Sequence, residues 1–491
     1  MGYFIGIDIG TSSVKMLAMD EGGSLIRKCG RDYQYSQPHP GWREIWPSVW
    51  VEAVEDGLGE LLDGMDRQNV EAIGFTGQMH TTVFLDKDGN CIRPAIMWND
   101  MRTKDRISSM KGKLEGKRDA RSILRILSTG SPAANLLWLK EQEENHFHKL
   151  GKFLIGPDYL VYYFSGKFST DYCEASTSSL YDTDGRCWSG SMKALIGLPE
   201  AVYPPVMGSQ QVVGTLRDGL QARFGLPADV KIIAGTGDNP AAAVATGSLQ
   251  YHYPVLSIGT SGVLVLSRSQ MDMGKKGKQI LFSLDGKTVD VLVQGVVQSA
   301  GGSYNWYVKK ILGAEDFDSL MKPVDMESLG KSELLFYPHL TGDKTIYGDP
   351  GLRGAFIGLD TNHTREDLAV AVMEGVCFAV KQLVQEMQLT PEELGALKVT
   401  GGGSYSAIWM QILADVLNGK VEQLDGGEGA SYGAALMARN AVCPAEAGHG
   451  GSGHPVRIRG CFMPRENHVG LYELKYKKYL RIHDALKMIN Q

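Results

Sequence analysis

The feature that most limits how this chain can fold is an internal echo. Residues 7–14 read IDIGTSSV and residues 256–263 read LSIGTSGV, about 250 positions apart in a chain of 491. Each copy is an apolar run, a Gly-Thr-Ser turn and a second apolar run, VKMLAM after the first and VLVLS after the second. Two weaker echoes follow in the same order. AIGFTGQ (72–78) resembles KVTGGGS (398–404), both strands ending in glycine. GDNPAAAVATG (237–247) resembles EGASYGAALMA (428–438), both opening alanine-rich helices. One Gly-Thr-Ser match is ordinary turn composition; three echoes in one order indicate duplicated domains. The length suits two large domains better than one core, and the boundary falls near residues 246–253, dividing the chain into 1–247 and 248–491.

Tyr3–Ile9, Val14–Met19 and Ser24–Arg31 read as consecutive strands joined at GTSS and DEGG. Trp50–Leu62 reads as an amphipathic helix, Ala72–Phe75 and Thr82–Leu85 as strands, and Ala133–Gln142, Arg365–Gln388 and Ser406–Leu417 as helices, with Leu471–Asn490 a closing helix. This is an α/β chain. A Gly-rich loop at 445–454 carries no evident chemistry.

Several classes of function are disfavoured. A net charge of −6 offers no basic field to nucleic acid or an anionic membrane. No apolar run approaches the ~18 residues of a membrane span. MGYFIGIDIG lacks a basic leader and reads as a strand. Seven scattered cysteines without a CxxC argue against a disulfide framework or zinc site and for a reducing cytoplasm. The 60 glycines fall largely at the ends of apolar runs, where backbone turns tightly or approaches a small ligand.

The residues that point to chemistry cluster at those ends. Asp8 lies in an apolar strand just before Gly10, where a carboxylate needs solvent, a partner or a cation. The turn Thr11-Ser12-Ser13 offers hydroxyls and backbone N–H groups to phosphate oxygens, and Lys15 adds positive charge. Gly259-Thr260-Ser261 repeats the turn with Ser257 in place of Asp8. Asp238 precedes an alanine-rich helix whose Pro240 suits N1 and whose Asn239 suits the N-cap, leaving Asp238 to accept a proton from an attacking hydroxyl. Gln78-Met79-His80 ends a short strand, a position where open α/β sheets bind ligands. Trp98-Asn99-Asp100 supplies an aromatic wall, an amide and a carboxylate, suited either to a polyol or to packing a loop; Asp100 is the reserve candidate for the base. Gly401-Gly402-Gly403-Ser404 joins a strand to a helix and lets a ring or phosphate approach the backbone. No Walker A lysine motif and no complete GxGxxG is present.

Taken in order, GIDIGTSSVK, TGQMHTTVFLD, RPAIMWNDMRT, GTGDNPAAAVATG, LSIGTSGV, VTGGGSYSAIWMQILADVLN and EGASYGAALMA resemble the FGGY carbohydrate kinases over nearly the whole chain. The resemblance implies an α/β fold of two duplicated actin-like (ribonuclease H-like) domains with an interdomain active-site cleft. It implies transfer of the ATP γ-phosphate to a ketopentose, with D-xylulose first and ribulose, gluconate or a polyol as alternatives. A more distant alternative is a non-catalytic actin- or Hsp70-like ATP-binding protein. By the same resemblance Asp238 is the general base, Gln78, Met79, His80, Trp98 and Asn99 bind sugar, and Asp8 holds Mg2+. Thr11, Ser12, Ser13, Lys15, Gly259, Thr260, Ser261 and Gly401–Ser404 bind ATP. The expected partners are the sugar and ATP alone, with a homodimer left open. Thr81 stands where members acting on xylulose usually have glycine.

Overall fold

The computed structural model describes residues 2–272, 274–314, 320–425, 429–443 and 457–489; the Gly-rich loop at 445–454 lies outside them. The chain forms two compact units. One comprises Met1–Gln250, Ile280–Leu292 and Glu428–Pro455, the other Tyr251–Gln279, Val293–Gly427 and Val456–Gln491.

The first unit is built on β1 (Tyr3–Ile9), β2 (Ser13–Asp20) and β3 (Leu25–Asp32), an antiparallel meander, with β4 (Val70–Gly77) parallel to β1. Lys231–Ile233 and Val212–Thr215 extend the sheet beyond β4, and Thr236–Gly237 pairs with the end of β4. Alternate residues of a strand face opposite sides. Ile5, Ile7 and Ile9 enter a core with Trp50, Phe75 and Phe164. On the other face Gly6 pairs with Gly74, and the helix Gly429–Val442 lies directly on this pair. A Cβ on Gly6 would stand 1.9 Å from the Ser431 carbonyl oxygen, and one on Gly74 2.4 Å from that of Ala434. The same helix meets the helix Asp238–Ala245 at Gly433, where a Cβ would stand 1.8 Å from the Ala241 oxygen. Burial on both faces explains why β1 and β4 are near-continuous apolar runs.

The second unit repeats the plan. Val255–Ile258 and Gly262–Arg268 form an antiparallel hairpin, and Leu397–Thr400 runs parallel to the first of them. Val421–Leu424 and then Ile458–Phe462 continue the sheet on that side. The first two sequence echoes therefore occupy corresponding places, a hairpin strand and its parallel neighbour. The helix Arg365–Glu386 opens on a reciprocal cap between Thr364 and Asp367 and packs on the helix Ala407–Leu417.

The expected closing helix is in fact two, Glu466–Tyr479 and Ile482–Ile489. Tyr472, Tyr476 and Tyr479 anchor the first on Phe378, and that anchoring ends where the chain turns. None of the seven cysteines is in a disulfide. No helix among the described residues is long and apolar enough to cross a membrane.

Candidate active site

In the first unit the sequence-selected residues gather at the ends of β1 and β4. Ile9 and Val14 are paired across the turn, which closes through the Gly10 N–H donating to the Ser13 carbonyl at 2.8 Å. Tyr33, reaching over from beyond β3, donates its hydroxyl to the Gly10 carbonyl. Asp8 lies opposite Lys15. Burial pushes its carboxyl pKa up to about 6 despite the Lys15 ammonium, which pulls the other way. Serine and threonine hydroxyls follow at Thr11, half-buried, Ser12, exposed, and Ser13, half-buried.

Gln78 leaves β4 with its backbone N–H on the Ile9 carbonyl. Its side chain is 3% exposed and engaged at both ends, donating to the Gly10 carbonyl at 3.1 Å and accepting from the Thr81 hydroxyl at 3.1 Å. Gln78 thus holds the turn through these two bonds. Met79 is buried, and His80 adopts the left-handed conformation with φ 68°. Met79 packs against Gly237 and Asn239, the chain neighbours of Asp238. A Cβ on Gly237 would stand 2.5 Å from Met79 Cγ, and the Asn239 side-chain amide lies 3.7 Å from the Met79 sulfur.

Asp238 corrects one step of the sequence reading. The helix caps at Gly237, so Asp238 is N1 and Pro240 N3, and Asn239 is not the cap. Proline is accepted anywhere in this first turn because those N–H groups have no intrahelical partner. The Asp238 carboxylate itself accepts the Asn239 N–H at 2.7 Å, within the positive end of the helix dipole.

Trp98 is 43% exposed, and its indole N–H donates to the Thr11 hydroxyl oxygen at 3.2 Å. Asn99 is half-buried beside it. Asp100 is fully committed elsewhere. Arg102 grips it through Nε at 2.9 Å and Nη2 at 2.8 Å, the backbone N–H groups of Arg43 and Arg102 donate to it, and the guanidinium stacks on Trp42. A carboxylate so bound is a structural anchor, and Asp100 drops out as reserve base.

In the second unit a cavity of about 880 Å³ opens beside the repeated turn. Gly259, Thr260, Gly402 and Gly403 line it, together with Gly301, Gly302, Tyr304, Asn305, Tyr405 and Trp409. The carbonyls of Gly259 and Thr260 accept the N–H groups of Ala300, Gly301 and Gly302, which welds the turn to the start of the helix Gly301–Asn305. Side chains on Gly301 and Gly302 would collide: a Cβ on Gly301 would lie 2.3 Å from the Gly259 oxygen and one on Gly302 2.9 Å from the Thr260 oxygen. Gly401, with φ 87°, and Gly403 back onto Ile258, whereas Gly402 faces open space. Ser404 is buried and donates to the Gly401 carbonyl at 2.7 Å, so its hydroxyl shapes the loop from behind. Ser261 closes the turn by accepting the Gly259 N–H at 3.0 Å.

Comparison with known proteins identifies the class. The N-terminal domain model of the FGGY family of carbohydrate kinases matches residues 3–245, and its C-terminal domain model matches residues 255–442. The chain belongs to the FGGY family of carbohydrate kinases. The xylulose kinase of Bacillus subtilis is 30% identical over 100% of this chain and 98% of its own length. A crystal structure from Brucella ovis, described as a xyloylose kinase, superposes with a TM-score of 0.89 at 30% identity, covering 99% of this chain and 100% of the other. A gluconate kinase from Lactobacillus acidophilus, 23% identical with coverage of 99% and 98%, shares the fold at a TM-score of 0.86. The actin-like, ribonuclease H-like two-domain fold is thereby established, and the non-catalytic alternative is set aside.

Two groups of residues in this FGGY chain escaped the sequence reading. Gly301, Gly302, Tyr304 and Asn305 follow the strand Asp290–Val297, and the signal was there in a Gly-Gly pair after an apolar strand. Glu174 left almost no signal. It is fully buried, its carboxyl 3.0 Å from where a Gly237 Cβ would stand, with the His80 backbone N–H against it. Burial first, then the neighbouring Asp158, Asp171 and Asp238, push its pKa well above the ordinary range and favour its neutral form.

A divalent cation fits the donor set. Among the described residues no three His, Cys, Asp or Glu side chains converge as a metal cage. Mg2+ characteristically takes one or two carboxylates with phosphate oxygens and waters, and the desolvated Asp8 is a carboxylate that gains from a cation.

Proposed function

We propose that this kinase transfers the γ-phosphate of ATP to a hydroxyl of D-xylulose, with Asp238 as general base. The observation that supports the proposal is the packing of Met79, the residue before His80, against Gly237 and Asn239, the two chain neighbours of Asp238. A carboxylate on the first turn of a helix is favoured in its ionised form, as a base must be. Burial pushes the pKa of the neighbouring Glu174 well above the ordinary range, which favours its neutral form. Met79 gives an apolar floor, His80 a ring with donor or acceptor character, and Trp98 and Asn99 a wall for a polyol. Asp238 would orient the attacking hydroxyl and take its proton as the phosphoryl group departs from ADP.

On the nucleotide side, Thr11, Ser12, Ser13 and Lys15 would hold phosphate oxygens, with Gly259, Thr260 and Ser261 repeating that role. The cavity walled by Gly402 and Gly403, with Gly401 and Ser404 shaping it from behind, suits the adenosine. Mg2+ held at Asp8 would neutralise charge on the phosphates. Positioning and neutralisation supply most of the catalysis in phosphoryl transfer. We further propose that residues 1–247 and 248–491 are the duplicated halves, serving sugar and nucleotide respectively, and that the enzyme acts in the cytoplasm on small molecules alone.

The test is coupled ADP release across D-xylulose, D-ribulose, D-gluconate and pentitols. The expected outcome is a kcat/KM for D-xylulose at least tenfold above the others, within the range pocket contacts can discriminate. A preference for gluconate would move the substrate assignment while leaving the reaction class intact.

A further inference from the structure

Four hydrogen bonds close a ring around the first Gly-Thr-Ser turn. Gln78 Nε2 donates to the Gly10 carbonyl at 3.1 Å, and the Thr81 hydroxyl donates to Gln78 Oε1 at 3.1 Å. The same hydroxyl accepts the Trp98 backbone N–H at 3.2 Å, and the Trp98 indole N–H donates to the Thr11 hydroxyl oxygen at 3.2 Å. Gly10 and Thr11 are neighbours in the chain, so the circuit is complete. Thr81 is fully buried, and its own carbonyl accepts the Gly156 N–H at 2.8 Å, so its position is fixed independently of the ring. It is the one member bonded to two others through a single atom, and valine in its place would break two of the four bonds.

The chemistry at Thr11 gives the ring a consequence. A hydroxyl oxygen that accepts from an indole keeps its own proton to donate elsewhere. The indole thus orients the Thr11 hydroxyl as a donor, which suits a phosphate oxygen. The other arm of the ring holds Gln78, the residue before Met79 and His80. We propose that Thr81 is a positioning residue that locks the sugar-side loop and the phosphate-side turn into one rigid unit, so that its hydroxyl governs nucleotide binding although it touches neither substrate. The inference rests on the assignment of the turn to phosphate given above.

Three variants test it: Thr81→Val, which keeps shape and removes the hydroxyl; Thr81→Ser, which restores it; and Trp98→Phe, which removes the indole N–H at the exposed end of the ring. Each is melted, titrated with MgATP by calorimetry, and assayed for kcat and both KM values, and amide exchange is followed in the peptides carrying Thr11 and Trp98. Thr81→Val should speed exchange in both peptides, weaken MgATP about tenfold and lower kcat by up to ~10²-fold, the cost of small misplacements at a reacting centre. Thr81→Ser should return within about twofold of wild type, and Trp98→Phe should reproduce the loss of MgATP affinity at an unchanged melting temperature. Faster exchange with unchanged MgATP affinity would overturn the proposal, leaving Thr81 a purely structural residue, as would a Thr81→Ser variant as impaired as Thr81→Val. If Thr81→Val does not fold, Trp98→Phe decides alone: normal MgATP affinity in that variant overturns the proposal. A wild type that binds MgATP yet releases no ADP with any sugar sinks the functional reading instead, and the MgATP titrations still decide this one.

Discussion

Asp8 shows how a single residue can be set against the stability of its own fold. Its carboxyl has a folded pKa of about 6 against an ordinary 3.8, because desolvation outweighs Lys15. A group raised in this way contributes stability that is full below the unfolded value and is lost as pH rises through the folded one. The window is therefore about pH 3.8 to 6, and above it the ionised Asp8 costs the ligand-free protein roughly 3 kcal/mol. Without ligands, Asp8→Asn should melt several degrees above wild type at pH 7.5, and the gap should close at pH 4. The same variant should bind MgATP more weakly, since in the proposed function this carboxylate holds the cation. A melting temperature below wild type at pH 7.5 would show that Asp8 is satisfied by its protein surroundings alone. Not every carboxylate here is burdened in this way: Asp100, from the same sequence segment as Trp98, is secured by a buried arginine.

Among elements, the contact of the helix Gly429–Val442 with β1 and β4 is a close backbone-to-backbone constraint within the first unit. Its backbone sits on Gly6 and Gly74 with no room for a methyl group. Gly6→Ala should lower the urea midpoint by the equivalent of about 1–3 kcal/mol, the usual cost of overpacking. Gly59→Ala, on an exposed helical position with nothing within 4 Å, should stabilise by about 0.5–1 kcal/mol. Equal effects from the two would mean that the helix does not rest on the strand. The echo that revealed the hairpins could not reveal this contact. The sequence marks Gly6 and Gly74 only as glycines in apolar runs, and the atoms that need their space lie over 350 residues away. Local signals were legible where local physics decides, as at the 10–13 turn. The cap at Gly237 was misjudged because proline fits N3 as well as N1. The two hydrogen bonds of Gln78, to Gly10 and Thr81, are invisible before the loop is folded.

At the scale of the whole molecule, the strand–turn–strand plan recurs in both units among the described residues, with a carboxylate at Asp8 in the first and a glycine-lined cavity beside the turn in the second. That asymmetry supports the proposed function, in which Asp8 would handle charge and the cavity would take the adenine ring. Asp238 carries the central claim, and Asp238→Asn tests it most directly. Steady-state ADP release with D-xylulose, isothermal binding of sugar and MgATP, and thermal melting are compared for this variant and wild type. The account predicts an unchanged melting temperature, binding within a few-fold, and turnover lower by ~10²–10⁴, the usual contribution of a positioned base. Near-normal turnover in Asp238→Asn would contradict it.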